Sequence, residues 1–301
     1  MAQVMTPAPA TGFGATARRD NWWLGPLATF LGLMAFIIYG NIVLFQGKYF
    51  EIRQDRANFS GPEVAPYLAP FYAPLIYDAH SSHAWIQAAR PSWWPGWMPF
   101  SSAMLILIFP LGFRFTCYYY RKAYYRSFWL DPPACAVGEP RKGYWGENHW
   151  PLLIQNSHRY FMYFAVIFLV LLGWDALKAF WWPVIKGDEV VGHRLGMGLG
   201  TLIMIVNVVL LSFYTLGCHS VRHLVGGRLN HFACYTCPIG NGAATNNEPV
   251  QIRSGYKFWK WSTRLNEHHM LWAWCSLFSV GFTDFYIRMC AMGYWNDPRF
   301  F

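Results

Sequence analysis

Leu195-Gly-Met-Gly-Leu-Gly-Thr-Leu-Ile-Met-Ile-Val-Asn-Val-Val-Leu-Leu-Ser-Phe-Tyr-Thr-Leu-Gly-Cys218 runs for 24 residues without a charge. A helix rises about 1.5 Å per residue, so such a run more than covers the ~30 Å hydrocarbon core of a bilayer. Overlapping its end is Gly217-Cys-His-Ser-Val-Arg-His-Leu-Val-Gly-Gly-Arg-Leu-Asn-His-Phe-Ala-Cys-Tyr-Thr-Cys237. These 21 residues carry three Cys and three His where a membrane helix should meet water. Soft thiolates and imidazoles crowded there point to a metal or iron–sulfur centre rather than to packing.

The rest of the chain repeats the membrane signal. Apolar residues make up 54% of it, aromatics 20% and charged residues only 13%, too few for an ordinary soluble surface. Residues 24–45 are 22 without a charge, 97–113 give 17, 160–174 give 15 and 270–283 give 14. The second run can extend past Arg114, whose long side chain snorkels. The last must carry Asp284 in or beside the membrane. The fold expected is therefore an all-α membrane protein, a five-helix transmembrane bundle. A cytoplasmic tail over 1–23 precedes a transmembrane domain over 24–301, with spans near 24–46, 97–118, 152–175, 194–218 and 268–290. Residues 1–20 are rich in Pro, Ala, Gly and Thr and read as disordered. They lack the basic region and short apolar core of a cleavable signal peptide.

Charge sets the orientation. With the N-terminus inside, the inner segments 1–23, 114–159 and 217–267 hold 15 Lys/Arg against 6 Asp/Glu, whereas the outer ones hold 9 of each. All of the +9 net charge then falls on the cytoplasmic side, as the positive-inside rule requires. The N-terminus is expected inside and the C-terminus outside. These basic residues flank spans and alternate with Tyr and Trp, as interfacial anchors do, so nucleic acid is not the partner expected. Seven Cys, mostly on the reducing side, argue against a disulfide framework. Tyr118-Tyr-Tyr-Arg-Lys-Ala-Tyr-Tyr-Arg-Ser-Phe-Trp129 suits a lipid headgroup boundary or a subunit interface. Gly192-His-Arg-Leu-Gly196-Met-Gly198-Leu-Gly200 reads as the small-residue face of a helix that a neighbour approaches closely.

On a helix His219 and His223 share one side, a turn apart. Cys234-Tyr-Thr-Cys237 is a C-x-x-C, a spacing that brings two thiolates to one metal ion. Together the four could close a tetrahedral zinc site or hold a [2Fe–2S] cluster with His on one iron and Cys on the other. Cys218, His269 and His158 are expected at the same depth and are alternate ligands. Haem b is the competing cofactor, because His158, His223 and His269 could also supply a bis-histidine pair. An outer site from His193, His80 and His83 is a weaker haem candidate. Ionisable groups at membrane depth are costly and usually functional. Asp284 and Arg288, four apart, can pair near the outer end of the last span. Asp175 sits at the outer end of the third. Arg222 lies between the two histidines. These four are the candidates for quinone contact or proton handling.

Tyr214-Thr-Leu-Gly-Cys-His-Ser-Val-Arg-His-Leu-Val-Gly-Gly227 and His269-Met-Leu-Trp-Ala-Trp-Cys-Ser-Leu-Phe-Ser-Val-Gly-Phe-Thr-Asp-Phe-Tyr-Ile-Arg288 resemble the membrane-anchor subunit of actinobacterial-type succinate dehydrogenases. The likeness is specific over these two stretches and vague over residues 1–95. It implies a five-span anchor in the bacterial cytoplasmic membrane. Such an anchor carries electrons between a flavoprotein and iron–sulfur pair of subunits and menaquinone, with lipid and further small membrane subunits as other neighbours. Some members hold two b haems, and a haem-poor branch holds a membrane-embedded Rieske-like [2Fe–2S] cluster. The lack of His in residues 24–45 and 97–113 favours the second branch. The loop after Cys237 departs from the family pattern, since Pro238 and about 30 residues precede His269.

The chain is not expected to be the dehydrogenase itself, having no dinucleotide fingerprint and no room for a flavin domain. Two other readings remain at this stage. One is a haem b anchor of a different respiratory quinone oxidoreductase. The other is a transporter or scaffold with a structural zinc.

Overall fold

The structure is a computed structural model that describes residues 12–52, 65–141, 143, 146–150, 152–186, 189–226 and 254–301. The chain divides into two compact units, Met1–Ile42 with Leu111–His158 and Val43–Pro110 with Arg159–Phe301. Among the described residues the secondary structure is mostly helical. Four stretches are long and apolar enough to cross a membrane: Leu24–Gln46, Leu152–Lys178, Leu199–Leu216 and His269–Ala291.

How deeply each stretch is buried follows from its pattern. Helix α1 (Leu24–Gln46) is apolar on every side and buries only Val43, so its solvent is lipid. The second expected span is divided into α2 (Ser102–Ile106) and α3 (Ile108–Thr116). Pro110 supplies no N–H to the Ile106 carbonyl, and the chain turns at Leu107, whose N–H closes on Ala103 O at 3.0 Å. Helix α4 (Tyr118–Tyr124) follows, then α5 (His158–Lys178), which a 3₁₀ turn over Leu152–Ser157 leads into.

Helices α6 (Leu199–Leu216) and α9 (His269–Ala291) pack against each other. Helix α6 buries Gly200, Thr201, Met204, Asn207, Tyr214 and Thr215; helix α9 buries Ala273, Ser276, Leu277, Asp284, Ile287 and Arg288 among others. Both sets recur at three- and four-residue spacing, the stripe that lets two helices pack along one face. Between α5 and α6 the fold departs from the all-α expectation. Strands β1 (Trp181–Lys186) and β2 (Glu189–Leu195) form an antiparallel hairpin, pairing Trp181 with Leu195 and Val184 with Gly192.

The fourth span therefore starts at Leu199, not at 194 or 195, and residues 192–195 are strand. The small-residue stripe also has a different role. Gly198 precedes α6, and Gly200 lies in its first turn facing the Tyr67 ring. The carboxylate of Asp297 reaches this turn from the C-terminal tail. It accepts from Gly200 N at 2.7 Å, Tyr67 OH at 2.7 Å and Tyr286 OH at 2.7 Å. An anion on the free N–H groups of a helix start is favourable. Burial and that carboxylate hold the Tyr67 phenol far above its usual pKa, so it stays a donor.

A Cβ at Gly200 would lie 2.8 Å from Tyr67 Cζ, and Tyr67 is fully buried with its hydroxyl pinned by Asp297 and Thr201. We expect Gly200→Ala to destabilise the protein by about 1–3 kcal/mol, as overpacking does. Gly192→Ala, whose Cβ meets nothing within 4 Å, serves as the neutral control. Thermal unfolding of the two variants side by side is the check.

In the other unit, residues 14–18 are not a disordered tail. Gly14 N donates to Gly138 O at 2.9 Å and Gly138 N to Ala15 O at 2.9 Å, while Arg18 pairs with Asp20 and donates to Cys135 O. The aromatic run forms a compact cluster. Tyr124 OH donates to Phe115 O at 3.0 Å, Gln155 bonds Tyr124, and Arg121 lies 4.7 Å over the Tyr118 ring.

Candidate functional site

Helix α6 ends at Leu216, and the chain restarts as α7 (His219–Gly226) after Gly217 and Cys218. The carbonyls freed at that break are capped from α8 (Ser254–Glu267). Ser262 Oγ donates to Leu216 O at 2.6 Å and Asn266 Nδ2 to Gly217 O at 2.8 Å. Gly217 has no Cβ because one would sit 3.0 Å from Leu265 Cβ. Arg222 clamps α7 to the same helix α8. Its Nε donates to Thr263 Oγ1 at 3.2 Å and its Nη1 to Asn266 Oδ1 at 3.0 Å, with the Trp259 ring 5.8 Å away. Its guanidinium is therefore spent on α8.

This joint fixes the orientation of the two histidines. The rings of His219 and His223 lie 4.6 Å apart, inclined by 64°, on the outward side of α7. Partial desolvation first, then the neighbouring His223 and Arg222, pushes the His219 imidazole below its usual pKa. A neutral ring keeps the lone pair that a metal requires. Cys218 adjoins the pair but is 2% exposed, turned into the packing. Cys234 and Cys237 fall in 227–253, outside the described residues. Among the described residues no three His, Cys, Asp or Glu side chains gather into a metal shell. At α7 the two imidazoles lie side by side.

The other histidines have separate surroundings. His269 opens α9 and stacks on Tyr214, ring centroids 5.1 Å apart. His158 opens α5, with Nδ1 2.9 Å from Thr116 Oγ1 and its ring stacked on Phe113 at 4.8 Å. His193 lies in β2 and is exposed, as is His80.

Asp284 and Arg288 do meet. Arg288 Nε donates to Asp284 Oδ2 at 2.6 Å, and the two side chains are 2% and 0% exposed. Arg288 Nη1 reaches Lys48 O at 2.5 Å and Gln46 Oε1 at 3.1 Å, and its guanidinium lies 5.3 Å from the Tyr72 ring. The pair anchors the segment after α1 to α9. Asp175 lies elsewhere, in a cavity it shares with His83 and Lys178. Neither Asp297 nor Lys178 stands out in the sequence, because no period or motif marks a carboxylate four residues from the C-terminus or a lysine at a helix end.

The family described as actinobacterial succinate dehydrogenase subunit SdhC matches residues 24–293. A chain of the solved Mycobacterium smegmatis Sdh1 complex in the apo form is 39% identical, with a TM-score of 0.75, over 100% of this chain and 99% of that one. No curated protein matches. The chain therefore belongs to the actinobacterial succinate dehydrogenase SdhC family, and it is a multi-pass subunit of the bacterial cytoplasmic membrane that partners the other subunits of that complex.

Proposed function

We propose that the chain relays electrons from the iron–sulfur subunit of its complex to menaquinone through a Rieske-like [2Fe–2S] cluster held by His219, His223, Cys234 and Cys237. The observation that carries this reading is the pair of imidazoles, 4.6 Å apart on a helix braced at the end of a membrane span. Such a cluster, when bound, takes up and passes on one electron at a time. The chain's own work is to hold two imidazoles at one face and keep them from turning. Arg222 does this by tying α7 to α8.

On this reading α2 and α3 together supply the second of five crossings, with the N-terminus inside and the C-terminus outside. The inner segments then present their excess of Lys and Arg to an iron–sulfur subunit, which a flavoprotein subunit feeds with electrons from succinate.

The test is metal analysis and electron paramagnetic resonance on the purified complex, reduced with dithionite, for wild type and Cys234→Ser. Two iron and two acid-labile sulfide beyond the content of the soluble subunits, with a Rieske-like signal that Cys234→Ser alters, are expected. One haem b per chain in an alkaline pyridine spectrum, or zinc in place of that iron, would overturn the reading.

A further inference from the structure

At the C-terminal end of α5 a cavity of about 220 Å³ takes in His83, Trp85, Leu171, Trp174, Asp175 and Lys178. At about 30 Å³ per water this is room for roughly seven waters, or for a compact polar headgroup. Its charges are arranged in an unusual way. Asp175 and Lys178 are three apart on one helix, the spacing at which an acid and a base usually pair, yet they form no ion pair within 4 Å. Lys178 instead leans back one turn to place Nζ 5.7 Å from the centre of the Trp174 ring. The Asp175 carboxylate makes no hydrogen bond among the described residues. His83 does not supply the missing cation. Burial, against a weaker pull from Glu51, holds its imidazole below the usual pKa and so neutral.

The cavity thus offers one anion and one cation held apart, at the end of a membrane-spanning stretch. Below it, Ile167, Val170 and Trp174 are each more than half exposed and share one side of α5, an apolar track leading away from the charges. Exposed Trp85 and Trp174 are of the kind that settles at a membrane interface.

We propose that this cavity is a binding site for one zwitterionic phospholipid, with its ammonium on the Asp175 carboxylate, its phosphate on Lys178 Nζ and its acyl chains along Ile167 and Val170. An uncharged quinone ring would leave the half-buried Asp175 carboxylate without a close counter-ion beside a low-dielectric region, which is costly. An anionic lipid would satisfy Lys178 but bring its negative charge to Asp175. A lipid with both signs satisfies both. The sequence offered Asp175 for proton handling or quinone contact, and the cavity gives it this other occupant. The site does not depend on the cluster or on its ligands.

Native mass spectrometry of the delipidated complex, titrated separately with phosphatidylethanolamine and phosphatidylglycerol, tests the assignment. One phosphatidylethanolamine per chain is expected to bind at least ten-fold more tightly than phosphatidylglycerol. Lys178→Gln should weaken both lipids, whereas Asp175→Asn should remove the preference between them. Equal affinity of the wild type for the two lipids would overturn the proposal, as would a menaquinone that displaces the bound lipid. Soluble phosphoethanolamine binding as tightly as the lipid would also overturn it, because the acyl track would then do nothing. The wild-type comparison requires no variant, so it stands even where a substitution fails to fold.

Discussion

Complexes carrying His219→Ala together with His223→Ala are expected to lose succinate-driven quinone reduction by more than about 100-fold, beyond the 10–100-fold typical of losing a supporting partner around a metal ligand. Succinate oxidation with a soluble artificial acceptor should persist, because that chemistry belongs to other subunits. The split between the two assays is the informative readout. Both histidines are exposed on α7, and alanine is the best helix former, so the helix should survive. Arg222 still bonds Thr263 and Asn266 in the double variant, which keeps α7 on α8. Equal quinone reduction by variant and wild type would remove the pair from the electron path. His219 adds a pH signature. Its lowered pKa leaves the ring neutral at pH 7, so protons should compete with metal only below the ordinary histidine range near 6.5. Iron retained per complex, followed from pH 7.5 down to 5, should stay flat at first and fall only once His219 begins to take a proton.

Asp284→Ala is the second large effect. It leaves the Arg288 guanidinium, 2% exposed, without its carboxylate inside the bundle. Removing one partner of a buried pair costs about 3–5 kcal/mol, since the remaining charge has neither water nor a counter-ion. Lys48 O and Gln46 Oε1 still accept from Nη1, but Nη2 already has no acceptor among the described residues. A fall in the unfolding temperature and in the yield of assembled complex is expected. The double variant Asp284→Leu with Arg288→Met should recover most of that loss, because both charges leave together. A single variant as stable as wild type would show that the pair does not hold the segment after α1 to α9. Quinone turnover measured on the double variant speaks to the proton-handling expectation, since it removes the acid while restoring the fold.

Much of this was legible in the sequence for plain reasons. Long uncharged runs mean a hydrocarbon solvent, so α1, α6 and α9 could be placed within a few residues. An acid and an arginine four apart on a helix lie on one side and can pair. Two histidines four apart had to share a face of α7. Each of these follows from spacing within one element.

The rest depends on residues far apart in the chain. Nothing near Gly200 says that the Tyr67 ring and the Asp297 carboxylate fill the space beside it, or that the chain before it turns into a hairpin. Nothing near Leu216 says that Ser262 and Asn266 cap its helix. The second span reads as one continuous uncharged run, and its break at Leu107 appears only in the structure. Asp175 shows the difference most clearly: by sequence it is an acid at a helix end. Only the tertiary structure brings it into one cavity with His83. The sequence by itself determined which segments prefer lipid and which side chains share a helix face, because those depend on composition and a 3.6-residue period. Tertiary structure decided which charges are paired, capped or left facing a cavity, because those contacts join residues that no local period relates.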